Sequence, residues 1–202
     1  MEVYHRPYDP NYPVICMDEK PYQLLEDARE PVPMKPGQSR REDSEYIRHG
    51  TCSIFMFTEP LAGWRHIVVS ERRTKKDWAR QIRELLEVHY PDAVKLVLVM
   101  DNLNTHNLSA LYETFPPDIA LGLAKRLEIH YTPKHGSWLN IAEIELSALS
   151  IQCLNRRIDN IPSLALETSA WETHRNTRHK AVDWHFSTCD ARVKLRSLYP
   201  LI

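Results

Sequence analysis

The chain has 202 residues, of which 43% are hydrophobic and 26% are charged, and its formal net charge is −1. This composition is typical of one soluble globular domain and excludes a surface that is basic throughout. No apolar run approaches the roughly 20 residues that a membrane span needs. Four scattered cysteines form no CxxC pair, so a reduced cytosolic setting is the simplest expectation.

Three β-strands are predicted in the first third of the chain. The apolar run YPVICMD ends at Asp18, and the proline-rich, charged stretch after it is predicted to be mostly loop or an irregular hairpin. YIRHGTCSIFMFTEP is predicted as a second strand broken at Gly50, and RHIVVS as its hairpin partner. The segment TKKDWARQIRELLEVHY then has apolar residues at helical spacing, with Thr74 as N-cap and Pro91 after its end.

The rest of the chain alternates strands and helices. AVKLVLVMD and RLEIHYTP are predicted strands, NLSALYETF is a short helix closed by Pro116 and Pro117, and LNIAEIELSALSIQCLNRRI and IPSLALETSAWETHRNTR are longer helices before a basic tail. This order predicts an α/β fold, a ribonuclease-H-like mixed five-stranded sheet flanked by helices, in one domain over residues 1–202. Such a sheet places the ends of the first and fourth strands side by side.

An aspartate stands at the end of each of these two strands. Asp18 closes the first predicted strand, and Asp101 follows the run LVLVM of the fourth. Ligand sites in open α/β sheets gather beyond the carboxyl ends of such strands, and carboxylate oxygens suit a hard cation such as Mg²⁺. Alternatively, Asp101 and Asn102 only start a turn, because both side chains can cap backbone amides locally.

A third carboxylate is expected from the helix that begins near Asn140, which carries Glu143 and Glu145. The two glutamates are separated by about 200° around a helix, so only one can face the sheet. Glu143 falls between two apolar arcs, whereas Glu145 falls on a side expected to face solvent; we therefore favour Glu143. Its alternative role is a helix cap, with Asn140 as N-cap and Glu143 at N3. The two arcs are Leu139, Ala142, Leu146, Leu149 and Cys153, and Ile141, Ile144, Ala148 and Ile151.

Three motifs, CMDEKP, VMDNLNTH and YTPKHGSWLNIAEIE, together resemble the acidic motifs of DDE transposases, in the bacterial insertion-sequence branch of the Tc/mariner superfamily. The resemblance covers nearly the whole chain. It implies a ribonuclease-H-like fold and metal-dependent DNA strand cleavage and strand transfer at insertion-sequence ends, with two Mg²⁺ ions or Mn²⁺ as a substitute. By position, Asp18, Asp101 and Glu143 correspond to the three catalytic, metal-binding acids.

Two residues after the second acid are expected to support the site. Asn102 is expected to hydrogen-bond the acids, and His106 to orient Asn102 or a phosphate. For His106, a cap of the following helix is the favoured interpretation. Elsewhere, His174, His179, His185 and Cys189 lie near one another in the sequence, but their spacing matches no standard zinc site.

A basic segment precedes the first predicted helix and is expected to contact DNA phosphates, which would make binding fall with salt. The alternative is a solvated turn before a helix. The segment consists of Arg72, Arg73, Lys75 and Lys76.

The resemblance also suggests partners and location. Family members usually carry helix-turn-helix modules before the catalytic domain, and only 17 residues precede Asp18, so this chain is expected to be a catalytic domain alone. DNA (transposon ends and target), a homodimer and a separate helix-turn-helix polypeptide are the expected partners, in the bacterial cytoplasm near the nucleoid and with no membrane. Two alternatives stay open: a ribonuclease-H-like nuclease that cuts without joining, and a non-catalytic remnant that binds DNA or a partner.

Overall fold

A computed structural model describes residues 2–39, 41, 43–103, 106–133, 136–182, 184–185, 187–194 and 196. The strands of this described part are β1 (Val14–Asp27), β2 (Tyr46–Glu59), β3 (Trp64–Ser70), β4 (Leu96–Met100) and β5 (Leu127–Tyr131). Its α-helices are α1 (Lys75–Glu84), α2 (Ser109–Thr114), α3 (Pro117–Lys125), α4 (Ile141–Gln152), α5 (Ile161–Asn176) and α6 (Thr188–Lys194). None of these helices is both long and apolar enough to cross a membrane.

The five strands form one mixed sheet in the order β3-β2-β1-β4-β5. β1, β2 and β3 are antiparallel, and β4 and β5 run parallel to β1. Successive side chains of a strand point to opposite faces, so Cys16 enters the core beneath α4 and α5, while Met17 enters the core beneath α1, α2 and α3. The predicted α/β, ribonuclease-H-like mixed sheet flanked by helices is confirmed.

β1 is longer than predicted, and this changes the position of Asp18. The strand continues past Asp18 to Asp27 and pairs with β2 along its length, so the prediction of a loop directly after Asp18 was wrong. The predicted alternative of an irregular hairpin agrees with this pairing and with the antiparallel bridge between Val32 and Arg41. The second strand is also unbroken at Gly50. This residue has a φ of 99° and lies opposite the register shift between Gln23 and Leu25, where it allows a bulge.

The helices agree with the sequence prediction except for α3 and for the ends of some of the others. Thr74 caps α1 in a capping box with Asp77, as the predicted N-cap position requires. α3 was not predicted: Pro117 occupies its first turn, where a missing amide hydrogen does no harm, rather than only ending α2. α4 ends at Gln152, six residues before the end of the predicted helix at Ile158.

Candidate active site

The first two acids lie beside each other on neighbouring strands. Cys16 of β1 pairs with Val99 of β4 in the last parallel pair, so Asp18 and Asp101 each stand two residues beyond that pair. β4 ends at Met100 while β1 continues, which leaves Asp18 at an open edge of its strand. The site is therefore at the carboxyl end of β4, where sites of open α/β sheets gather.

Burial and neighbouring charge act on Asp18 together. Burial of the side chain raises its pKa to about 7, with added repulsion from Asp101, Glu143 and Glu19. The backbone amide of Glu19, which donates to Asp18 Oδ1 at 2.7 Å, opposes the shift. Asp101 and Glu143 are thus near enough to Asp18 for their charges to disfavour its ionisation.

Glu143 reaches this place because the start of α4 is fixed against β1. The Asn140 side chain is the N-cap, and its Oδ1 accepts a hydrogen bond from the amide of Ala142 at 3.2 Å. Its Nδ2 donates to the carbonyl oxygen of Met17, the residue before Asp18, at 2.7 Å. Glu143 lies in the first turn of the helix that this double contact positions. The cap that was predicted for Asn140 is therefore present, and it also joins α4 to β1.

Glu145 is not solvated, which corrects the expectation for this residue. It is 2% exposed and receives hydrogen bonds from Arg65 at 2.8 Å and from Arg175 at 2.9 Å. Burial alone would raise the pKa of Glu145, but the two arginines outweigh burial and hold it below its ordinary value. Its charge is already satisfied by two cations.

The helical angles of α4 predicted one side of the helix correctly and the other only in part. The first predicted arc is buried, from Leu139 to Cys153. In the second arc Ile141 is buried and Ala148 packs against the core, but Ile144 is 51% and Ile151 is 71% exposed, so only half of this arc is covered. The Glu145 side is buried as well. The error arose because the sequence did not show where Arg65 would lie.

His106 lies in the site and does not cap the next helix, so the favoured interpretation was wrong. Its side chain is fully buried, with Nδ1 2.7 Å from Asp101 Oδ1 and Nε2 3.1 Å from Glu19 Oε2. Burial lowers the pKa of His106, but the two carboxylates outweigh burial and raise it to about 9. The ring is therefore protonated at neutral pH and can donate to both carboxylates. Asn102, the other expected supporting residue, is exposed.

Glu19 contacts residues of the candidate site, and the sequence analysis missed it. Its carboxylate is only 3% exposed and lies between His106 and Arg73, whose Nη1 is 3.5 Å away. The alternation of side chains along a strand sends it to the face opposite Asp18. An acid buried on that face needs cationic partners, so extending the first strand past Asp18 in the sequence would have drawn attention to it.

The predicted DNA-binding segment follows β3 and begins α1. Within it, Arg73 pairs with Glu19, and Lys75 pairs with Glu113 of α2 at 2.9 Å. Arg72 and Lys76 are exposed. A continuous series of polar contacts, from Arg73 through Glu19 and His106, connects this segment with Asp101.

The donor set suits a hard divalent cation. Asp18, Asp101 and Glu143 are carboxylates, and the ionisation of the first is disfavoured by the charges of the other two. A bound divalent cation would reverse this repulsion, and Mg²⁺ and Mn²⁺ prefer carboxylate oxygens. The donor atoms are of the type that suits the metal that the sequence resemblance implies. The three carboxylates do not all lie within 4.8 Å of one another in this structure, so they would have to move closer to share an ion.

Comparisons with known proteins agree with this architecture. The family model described as DDE superfamily endonuclease matches residues 13–165. A crystal structure of the Mos1 mariner paired end complex with Mn has a TM-score of 0.56 and 15% identity, and the match covers 84% of this chain and 51% of that one. The crystal structure of the Mos1 strand transfer complex has a TM-score of 0.56 and 15% identity, and the match covers 80% of this chain and 47% of that one.

A Mos1 transposase paired-end complex with the left transposon end gives a TM-score of 0.55 and 16% identity, with 83% of this chain and 51% of that one covered. The chain thus spans about half the length of these Mos1 chains. At such low identity the likeness concerns the fold. A comparison with curated proteins finds no match.

Proposed function

The chain belongs to the DDE superfamily endonucleases, and from this premise we propose that it is a transposase catalytic domain that cleaves and transfers DNA strands at insertion-sequence ends. The observations that carry the proposal are the register that puts Asp18 and Asp101 just beyond the last parallel pair of β1 and β4, and the Asn140 contact that joins the start of α4, with Glu143, to β1. The Mos1 structures with the same fold are described as complexes with transposon ends and as a strand transfer complex, which supports the choice of reaction.

We assign Asp18, Asp101 and Glu143 as the ligands of divalent cations, with Mg²⁺ as the natural ion, Mn²⁺ as its substitute, and two ions bound. Such cations, when bound, activate the attacking oxygen and stabilise the leaving oxygen of phosphoryl transfer. The charges of Asp101 and Glu143 both raise the pKa of Asp18. We therefore assign Asp18 as the ligand that the two cations would share.

Two further residues position these ligands. Asn140 joins the first turn of α4 to the carbonyl of Met17 and so sets Glu143 against Asp18. His106 holds Asp101 through Nδ1, and its other nitrogen is fixed by Glu19. Hydrogen-bonded partners of this kind orient ligating carboxylates. We assign His106 as a positioning residue, whereas the exposed Asn102 keeps its expected role only as a proposal.

DNA would approach along the segment between β3 and α1. Its exposed cations, Arg72 and Lys76, are available to phosphates, while Arg73 and Lys75 would have to exchange a carboxylate for a phosphate. Because Arg73 contacts Glu19, a backbone bound here would lie beside the acids. Contacts of this type position DNA without reading its sequence.

The experiment is a joining assay. The purified chain is incubated with supercoiled plasmid and a labelled duplex that has a free 3′-hydroxyl end, in Mg²⁺ or Mn²⁺. We expect label to be joined to the plasmid, and Glu143→Gln to abolish joining while Glu30→Gln, at an exposed glutamate of the loop after β1, keeps it.

Each outcome decides between candidates. Nicking without joining would replace the proposal by a ribonuclease-H-like nuclease. Absence of joining and nicking, with either ion, would indicate a non-catalytic remnant. Equal joining by the Glu143→Gln variant and the unaltered chain would refute the assignment of Glu143.

A further inference from the structure

A second group of possible metal ligands lies away from the three acids, at the edge strand β3. One ring nitrogen of His66, one of His89 and one carboxylate oxygen of Glu84 all lie within 4.8 Å of one another. No other such group of three or more histidine, cysteine or acidic side chains occurs among the described residues. The histidines and Cys189 near the carboxyl end, which are close in sequence, do not assemble into one.

The backbone brings these three residues together by an unusual turn. α1 ends at Glu84, and a π-helical turn covers Leu85–His89, with the amide of Tyr90 donating to the carbonyl of Leu85 at 2.9 Å. In a regular α-helix, residues five apart are separated by about 140° around the axis. The wider π turn brings Glu84 and His89 toward one side. Such turns are rare and are frequent at functional sites.

The two histidines have ring nitrogens that no protein group satisfies. Nε2 of His66 and Nε2 of His89 are both buried and, within the described part of the chain, have no hydrogen-bond partner. A buried polar atom without a partner costs free energy, so it calls for an explanation. A bound cation would satisfy both lone pairs at once.

His66 is already oriented as a metal-ligating histidine usually is. Its Nδ1 lies 3.3 Å from Glu172 Oε1, and the other oxygen of Glu172 accepts the amide of Ile67 at 2.7 Å. A carboxylate on Nδ1 fixes the ring and leaves Nε2 free as a ligand. The ring of Trp64 packs beside the pair, with its centroid 5.9 Å from that of His66 and 5.2 Å from that of His89.

We propose that His66, Glu84 and His89 form a binding site for a borderline divalent transition metal, with Zn²⁺ the best fit, that joins β3 to the end of α1. Two imidazoles and one carboxylate suit zinc and disfavour Mg²⁺. Three protein ligands leave a fourth position for water, and Glu84, which is exposed, gives the ion access from solvent.

The site must contract on binding. Zinc bonds of about 2.0–2.1 Å place tetrahedral ligand atoms about 3.4 Å apart. The ligand atoms of His66, Glu84 and His89 lie within 4.8 Å of one another, so some of them have to move closer. Rotation of the exposed Glu84 side chain supplies this movement. His66 precedes the basic segment in the chain and His89 follows it. An ion bound to both would therefore fix β3 against the end of α1 and so restrain the basic segment between them.

The alternative is a pair of stacked rings with no ion. The centroids of His66 and His89 are 4.2 Å apart and their planes are inclined by 46°, so the rings also pack as members of an aromatic cluster with Trp64. Packing accounts for the ring faces. It does not account for the two buried Nε2 atoms or for the approach of Glu84.

The test is a metal titration of the chelator-treated full chain in a Cys189→Ser background, which removes an exposed thiol. Excess Mg²⁺ is present throughout to occupy the carboxylate site. Zn²⁺ is followed by calorimetry, and Co²⁺ by its visible absorption, which reports nitrogen ligands and a low coordination number. The variants are His89→Gln and Glu84→Gln, and the control is His49→Gln at an exposed histidine of β2.

We expect one equivalent of Zn²⁺ that Mg²⁺ does not displace, with affinity at least about tenfold weaker in both variants and unchanged in the control. Glu84→Gln alters an exposed position and so separates loss of a ligand from loss of the fold, which circular dichroism checks. The proposal is overturned if the unaltered chain binds no Zn²⁺, or if both variants bind it as tightly as the control does.

Discussion

Two glutamates of one helix turn have opposite surroundings, and this difference assigns their roles. Glu143 stands in the first turn of α4 with its charge acting on Asp18. Glu145, two residues later, is enclosed by Arg65 and Arg175. A carboxylate whose charge is already neutralised is a poor candidate for a metal ligand, whereas one that repels other acids is a good one.

Replacement of each glutamate should therefore have a different effect. Glu145→Gln leaves two arginines without their buried partner and should lower the free energy of unfolding by about 3–5 kcal/mol. Glu143→Gln removes a repulsive charge, so its free energy of unfolding should stay within about 1 kcal/mol of the unaltered chain without metal. Chemical denaturation in the presence of a chelator measures both values. Equal losses in the two variants would contradict the assignment.

The pH dependence of stability offers an independent check on Glu145. Its pKa in the folded chain is lower than its ordinary value of 4.5, so the stabilising contribution is fully present above that pH. It is lost as the pH falls through the folded pKa, because the folded state then has to take up a proton. The difference in unfolding free energy between the unaltered chain and Glu145→Gln should thus shrink as the pH is lowered from neutral through the acid range. A difference that stays constant with pH would show that Glu145 is not ionised in the fold.

His106 is expected to act through Asp101. His106→Asn removes the hydrogen bond that holds Asp101 Oδ1, and loss of such a partner typically weakens metal affinity or activity about 10- to 100-fold. The measurement is the Mn²⁺ concentration needed for half-maximal joining, compared with His130→Asn, a change at a partly exposed histidine on β5. If the His106 variant needed no more Mn²⁺ than the control, its role would be packing alone.

Among the helices and strands, the sequence was informative where a pattern depends on local chemistry. The apolar runs of β1 and β2, the Thr74 cap of α1 and the first apolar arc of α4 were all predicted from the sequence. The continuation of β1 beyond Asp18 was not, because it depends on pairing with β2, whose residues lie far along the chain.

The same reason explains what was missed in the candidate site. Asp18, Asp101 and Glu143 were proposed from strand ends and one helix angle. Glu19 was recognised only when β1 was seen to continue. His106 was named from the sequence, but its position between the carboxylates of Asp101 and Glu19 was not predicted. The cluster with His66 needs a π turn, for which the sequence gives no known signal.

The segment between β3 and α1 is expected to determine the salt dependence of DNA binding. Replacing the exposed Arg72 and Lys76 by Ala should weaken binding to duplex DNA. The slope of log K against log salt should become shallower by about 0.9 for each phosphate that the variant no longer neutralises. The control replaces Lys95 and Lys125, which are exposed before β4 and at the end of α3, away from the acids.

The measurement is a binding titration at several salt concentrations, with two unrelated duplexes. We expect equal weakening for both duplexes, because phosphate contacts carry no sequence information. A similar change of slope when Lys95 and Lys125 are replaced would contradict a specific role of the segment between β3 and α1, because any surface cation would then contribute equally to DNA binding.

Across the whole molecule, the sheet separates two kinds of chemistry. Asp18 and Asp101 lie where β1 and β4 separate. Glu143 lies in the first turn of α4, which Asn140 joins to β1. The group of His66, Glu84 and His89 lies at the edge strand β3 and the end of α1. Their donor atoms differ as well, with carboxylate oxygens in one and mainly imidazole nitrogens in the other, so the two places should select different metals.

The edge strand β3 is covered by side chains of α5. Asn176 at the end of α5 exchanges two hydrogen bonds with the backbone of Arg65, at 2.7 and 2.8 Å, and Glu172 accepts the amide of Ile67. Side chains of a helix thus occupy ladder positions that another strand could take. This arrangement holds α5 on β3 beside the Arg65–Glu145 pair.

The proposed function depends on the assignment of Asp18, Asp101 and Glu143 as common ligands of divalent cations. Crystals grown with Mn²⁺ test this assignment, because anomalous scattering locates the ion independently of the protein atoms. We expect Mn²⁺ between these three carboxylates, and none in crystals of the Asp101→Asn variant. Anomalous density at Glu145, or crystals saturated with Mn²⁺ that show none at the three acids, would refute the assignment.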